Sequence, residues 1–134
     1  MSSLSDGLDV FSKALNLRTQ RHQILASNVA NADTPNYKAK DFDFAQAMQS
    51  ALSGRGQVLA MAQSASGHLP GSAAAGLGQA QFRREVQSAV DGNTVDMDVE
   101  RAKMAENAMQ YEVLTKLVTD RLQGMRAAIA SNQG

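Results

Sequence analysis

Cysteine is absent from the 134-residue chain, which excludes disulfides and thiolate metal sites. Tryptophan is also absent, and aromatic residues make up only 4% of the sequence. The hydrophobic fraction is 43%, much of it alanine, so the large side chains that fill a globular core are scarce. A chain of this length forms one domain at most and buries a modest share of its surface. It is therefore expected to need partners for stability. No charge excess exists either: 13 basic and 13 acidic residues cancel. With no basic stripe, neither nucleic acid nor an anionic membrane is favoured as a partner. No apolar run approaches the ~18–20 residues of a membrane span. The first residues, MSSLSDGLDVFSKAL, lack the basic and apolar regions of a cleavable secretory signal. Work outside the cytoplasm is thus expected to follow export by another route.

What the chain does have is heptad rhythm at both ends. From Leu4, the positions Leu8, Phe11, Leu15, Arg18, His22, Leu25, Val29 and Ala32 follow at a spacing of about 3.5 residues. Ser3 or Ser5 is placed to cap the start of this helix. From Met97, the positions Arg101, Met104, Ala108, Tyr111, Thr115, Val118, Leu122, Met125 and Ile129 keep the same beat. Val113, Leu114 and Leu117 widen that second stripe, enough to face more than one neighbour. Asp96, Asp98 and Glu100 cluster where carboxylates meet the positive end of a helix. Between them, residues 53–81 are rich in Gly, Ser, Ala and Gln, a composition too weakly apolar to offset the entropy of ordering. Phe44, Met48 and Leu52 mark one short helix before this insertion. After it, short extended pieces flank Asp91-Gly92-Asn93, a hairpin-type turn signal.

The expected fold is all-α. Two long terminal helices pair as an antiparallel coiled coil, and an irregular middle insertion holds the short helix and the β-hairpin. The expected segments are residues 1–32 and 96–134 as the coiled-coil helices, with residues 33–95 as turn motif and insertion. The helix-pair seam is assigned to Leu8, Phe11, Leu15, Leu25, Val29, Met104, Tyr111, Val118, Leu122 and Met125.

No chemistry-bearing constellation emerges. Of the two histidines, His22 lies on the first seam without ligand partners at helical spacing, and His68 lies in the insertion. The acidic stretch DGNTVDMDVE fails the calcium-loop pattern, because Asp96 and Ala102 stand where that pattern needs glycine and acid. No serine–histidine–acid set and no phosphate-binding glycine loop is evident. No catalytic, cofactor-binding or metal-ligating residue is predicted. The unusual feature is ASNVANADTPNYKAKDFDF, residues 26–44, where the first helix stops. Asn31 and Asn36 suit a helix end and a turn, since asparagine tolerates left-handed backbone. Pro35 restricts Thr34 and sets the turn. Asn28 lies inside the helical pattern, where its amide gains little, and is read as bonding across a subunit contact.

Those residues resemble the N-terminal signature of bacterial flagellar rod and hook proteins. Its ANxxANxxTPGYK core is matched by Ser27-Asn28, Ala30-Asn31, Thr34-Pro35 and Tyr37-Lys38. Residues 91–115 resemble the C-terminal segment of a proximal rod protein of the same family, and His68-Leu69-Pro70 resembles a His-apolar-Pro element found there. Asn36 replaces the usual glycine, and residues 53–81 align poorly. The resemblance implies a structural subunit, not an enzyme, that polymerises into the periplasmic rod of the basal body. That rod transmits torque and encloses the export channel. It implies export without a cleaved signal, and contacts with other copies, the adjacent rod protein FlgC, the adaptor FliE and the export gate. It implies no nucleic acid, small-molecule substrate or cofactor. Asn28, Asn31, Thr34, Pro35, Asn36, Tyr37, Phe42 and Phe44 are the expected assembly determinants, turned outward to neighbours. The competing reading is a cytoplasmic helical adaptor or export chaperone of the same system.

Overall fold

The computed structural model describes residues 2–53, 80–83 and 90–131, with side chains from Asp6 onward in the first helix. His68 and most of the insertion lie outside the described residues. Helix α1 spans Ser2–Ala30 and helix α3 spans Met97–Ser131. At ~1.5 Å per residue they are about 44 and 52 Å long. Between them come the short helix α2, Phe44–Leu52, and two short strands, β1 at Lys40–Asp41 and β2 at Gln81–Phe82.

The local signals explain the helix starts. Asp96 accepts the Asp98 and Val99 amides at 3.0 and 3.2 Å, which caps α3. Asp43 accepts the Gln46 amide at 3.0 Å and caps α2, the short helix expected from Phe44, Met48 and Leu52. Helix α1 already begins at Ser2, so Ser3 and Ser5 lie within it instead of capping it.

The long helices pack against each other, and three contacts fix their direction. Asn28 bonds Glu100, the Arg18 carbonyl accepts from Asn107, and a Cβ built at Gly7 would lie 3.7 Å from Arg121. Low numbers on α1 meet high numbers on α3, so the pair is antiparallel and the fold is mostly helical.

Two expectations about packing change. The buried apolar cluster is Leu17, Phe42 and Ala47, with Ile24, Phe44 and Met48 against it. It joins α1 to α2 and to the segment after the helix end, and does not lie along the α1–α3 seam. Leu25 is fully buried, but Tyr111 and Leu122 are each 41% exposed. Leu8, Phe11, Leu15, Val29, Met104, Val118 and Met125 are half-buried. A single helix–helix contact cannot cover these stripes. Second, the strand pairing is not local. β1 and β2 run antiparallel with Lys40 opposite Phe82 and Asp41 opposite Gln81. Asp91-Gly92 forms a turn, but no hairpin strands flank it among the described residues.

Leu17 has no exposed surface, so Leu17→Ala should cost about 2–5 kcal/mol through lost burial and a cavity. Leu122→Ala, at a half-covered seam position, should cost about 1 kcal/mol. Urea unfolding followed by circular dichroism checks the ranking; equal losses would mean that the seam, not the α1–α2 cluster, is the core.

Candidate assembly site at the end of the first helix

Asn28 sits two residues before the end of α1 and has no exposed surface. Its Nδ2 donates to the Lys40 carbonyl at 2.7 Å and to Glu100 Oε2 at 3.1 Å. Its Oδ1 accepts the Lys40 amide at 3.0 Å and the Tyr37 hydroxyl at 3.4 Å. The side-chain amide thus pairs with both backbone groups of one residue, as a neighbouring strand would, and closes the edge of β1 that β2 leaves open. Every donor and acceptor of the amide is used inside one chain. The expected subunit contact at Asn28 is corrected accordingly: burial leaves it nothing to offer a neighbour.

Beside it lies a cluster of charges from α1, β1, α3 and the residue that follows β2. Asp41 accepts a two-pronged pair from Arg21, Nε to Oδ1 at 3.0 Å and Nη2 to Oδ2 at 3.2 Å. Arg83 and Lys103 each reach Asp41 Oδ2 at 3.3 Å. Arg83 also pairs with the fully buried Glu100. Glu100 is therefore an inward-facing ion partner, although its place in the first turn of α3 suggested only helix-end chemistry. Burial pushes the Asp41 carboxyl up, but the Arg21 hydrogen bonds and charge, the Phe42 amide and Lys103 outweigh it and hold it below its ordinary value.

The turn after α1 is clasped by residues 91–94. Asn93 is buried, and its Nδ2 lies 3.0, 2.8 and 2.8 Å from the carbonyls of Asn31, Ala32 and Thr34, which gather just past the helix end. The Asn36 amide donates to the Asp91 carbonyl at 3.0 Å, and the Thr94 amide to the Tyr37 carbonyl at 3.0 Å. Asn36 has φ 61°, the left-handed conformation expected of a residue in the place of glycine. Gly92 has φ 72°, a backbone conformation that calls for glycine, and a Cβ there would come within 2.6 Å of Asn36 Oδ1, so that side chain would have to shift.

Most of the remaining assembly residues also act within the chain. Asn31 Nδ2 donates back to the Ser27 carbonyl at 2.8 Å, and its Oδ1 accepts from the Thr34 hydroxyl at 3.2 Å. Tyr37 Oη lies 3.3 Å from Ser27 Oγ. Phe42 is 6% exposed in the apolar cluster, and Phe44 lies under the Arg18 guanidinium, 3.5 Å from its ring centre. Both phenylalanines face inward; the expectation that they point to neighbours is corrected, because the scarce large side chains are drawn to the core. Pro35 stays exposed on the outside of the turn. Sequence reasoning missed Leu17, Arg21, Asp41, Arg83, Asn93, Lys103 and Asn107. Only Asp41 and Asn93 carried a signal, inside the aromatic-acidic run and the turn. Among the described residues no group of three or more His, Cys, Asp or Glu could hold a metal ion.

A helix pair pinned at one end by a polar turn, with apolar residues left outside, is the build of an assembly subunit. Comparison with known families agrees: residues 8–38 match the family described as "Flagella basal body rod protein". The chain is also similar over nearly its whole length to "Flagellar basal body rod protein FlgB" of Escherichia coli K12, at 38% identity with 98% of each chain covered. The protein of the same name from Cereibacter sphaeroides is 40% identical with 96% of this chain and 98% of that one covered. The one from Salmonella typhimurium LT2 is 41% identical over 84% and 85%. The chain belongs to the FlgB family of flagellar basal body rod proteins.

Asn28→Asp keeps the shape but removes the Nδ2 donors and sets a second carboxylate against Glu100. It should destabilise the chain by on the order of 3 kcal/mol, against a few tenths for Ser27→Ala, measured by denaturant unfolding. The Asp41 carboxyl is lower in the folded than in the unfolded chain, so its contribution is complete above its ordinary value of 3.8 and disappears as pH falls through the folded value below that. The stability difference between the wild type and Asp41→Asn should be flat from about pH 7 to 5 and shrink below about pH 4. A difference that shrinks near neutral pH would assign the effect to another group.

Proposed function

We propose that this chain is a structural, non-enzymatic subunit that polymerises into the proximal rod of the flagellar basal body. The carrying observation is its near-full-length kinship with the FlgB proteins. The fold supports it. Helix α3 leaves Met109, Val113 and Leu117 exposed at 63, 60 and 45%, on one face at a spacing of four residues. Such a stripe on a chain with few large apolar residues is a surface for neighbours. Contacts between unlike faces that do not close generate a helical array, and rigid, multiply connected helices suit torque transmission.

In this reading residues 1–32 and 96–134 form the strut and residues 33–95 the turn and insertion. Asn28, Asn31, Thr34, Asn36 and Tyr37 shape the turn from within, and Pro35 with the α3 stripe meets neighbours. The same kinship supports contacts with FlgC, FliE and the export gate, a place in the periplasmic rod around the export channel, and export without a cleaved leader.

Expression in a flagellated host lacking its own FlgB tests the reading. The chain should restore swimming in soft agar and be found in isolated basal bodies. Met109→Asp with Val113→Asp should abolish both while leaving the helicity of the free chain unchanged. Retention of the wild-type chain in the cytoplasm as a discrete oligomer, with no rod, would instead support the adaptor.

A further inference from the structure

Glu100 has no exposed surface, and its carboxylate is held by Asn28 Nδ2 at 3.1 Å and by the Arg83 guanidinium. Among the described residues Arg83 is the cation that reaches it. Asp41 is placed differently: Arg83 lies 3.3 Å from it, but Arg21 and Lys103 reach it as well. If Arg83 left, Asp41 would keep two cations, whereas Glu100 would keep one neutral amide. A buried carboxylate stripped of its cation is strongly destabilising. Glu100 belongs to the first turn of α3, so that loss falls on the seating of the turn against Asn28.

The strand that carries Arg83 is held lightly. Both residues of β2 are exposed, Phe82 at 69%. The strand pairs with only Lys40 and Asp41, and the Arg83 amide then donates to the Ala39 carbonyl at 2.9 Å. A ladder that short does not hold by itself in water, so the Arg83 side chain is what fixes it. Sparse burial of this kind marks a segment that opens locally, below the free energy of global unfolding. An exposed strand and a buried helix turn thus depend on one side chain. We propose that β2 and Arg83 form a latch on the helix pair: docking of the strand supplies the countercharge that seats the first turn of α3 on Asn28, and its release loosens that turn. The coupling is reciprocal, so whatever holds β2 in place steadies the α1–α3 register by the same free energy. Because Gln81 and Phe82 face outward, the register answers to contacts made outside the helix pair.

Amide hydrogen exchange of the full chain tests the latch. In the wild type, Arg83 and residues 101–104 should open together, more readily than the centre of α1 around Leu17. Arg83→Met removes the charge and keeps the stem, and should lower protection at residues 101–104 about tenfold or more. Glu100→Gln keeps an oxygen for Asn28 and removes the buried charge. Alone it should also lower protection, but added to Arg83→Met it should restore most of what that change lost. A loss confined to residues 81–83, or a double variant weaker than either single one, overturns the proposal. The same pattern is read independently of the free chain in a host lacking its own FlgB: Arg83→Met should reduce swimming, and Glu100→Gln on the same chain should restore it. Absence of that suppression, where the wild type swims, also overturns the latch. A wild-type chain that never enters basal bodies removes the functional reading and leaves the exchange result standing.

Discussion

The structure depends on one side chain bonding one backbone residue. Asn28 holds both the N–H and the C=O of Lys40, at 3.0 and 2.7 Å, from inside a helix. A helix cannot pair with a strand through its own backbone, because its peptide groups bond along its axis. The amide solves this by presenting one strand-like donor–acceptor pair sideways. Once Lys40 is fixed, Asp41 is fixed next to it, and β2 adds on the far side with Lys40 opposite Phe82. The arriving strand brings Arg83 to Glu100, and Glu100 is the other acceptor of the Asn28 amide. The loop closes on itself. Asn28 and Glu100 are buried and Asp41 and Arg83 half-buried, so removing one of these four strands its partners with little water to replace it.

The charges around that bond explain why it is specific and not merely strong. Three cations, Arg21, Arg83 and Lys103, converge on two carboxylates, Asp41 and Glu100. Desolvating so many charges costs much of what their attraction returns. What the arrangement does supply is register. Shifting α3 by one residue along α1 would part Glu100 from Asn28 and Arg83, whereas the alanine- and methionine-rich seam alone would tolerate the slip. The clasp of Asn93 on the carbonyls after α1 repeats the device a few residues away.

The two long terminal helices, the short α2, the Asp96 cap and the left-handed Asn36 were all legible in the sequence, because each is a local pattern. The core was not. Leu17 is off a 3.5-residue count begun at Leu4, since that count assumes one partner and α1 has two. Its other face, through Leu17 and Ile24, meets α2 and Phe42 instead. Arg83 was invisible for a different reason: its partners Asp41 and Glu100 lie 42 and 17 residues away, and no spacing rule links charges across an insertion. Asn28 was conspicuous but misread. A polar residue in a helix face signals a specific bond, and only the fold decides whether the partner belongs to the same chain.

That distinction bears on how such a subunit would build a rod. Its polar selectivity is spent largely within the chain, around the end of α1. Its unsatisfied surface is mostly apolar and lies along α3 away from that knot, at Met109, Val113, Leu117 and Ile129. The two tasks are thereby separated along the helices. The knot sets the geometry of each copy before it meets another, and the long free reach of α3, with zero net charge on the whole chain, allows close approach without repulsion. Apolar contact alone is non-directional. A rod that transmits torque needs direction as well, and the knot contributes it by holding the two helices of each copy in one register. Apolar surface then brings copies together, and the shape that the knot fixes in each copy sets the angle at which they meet.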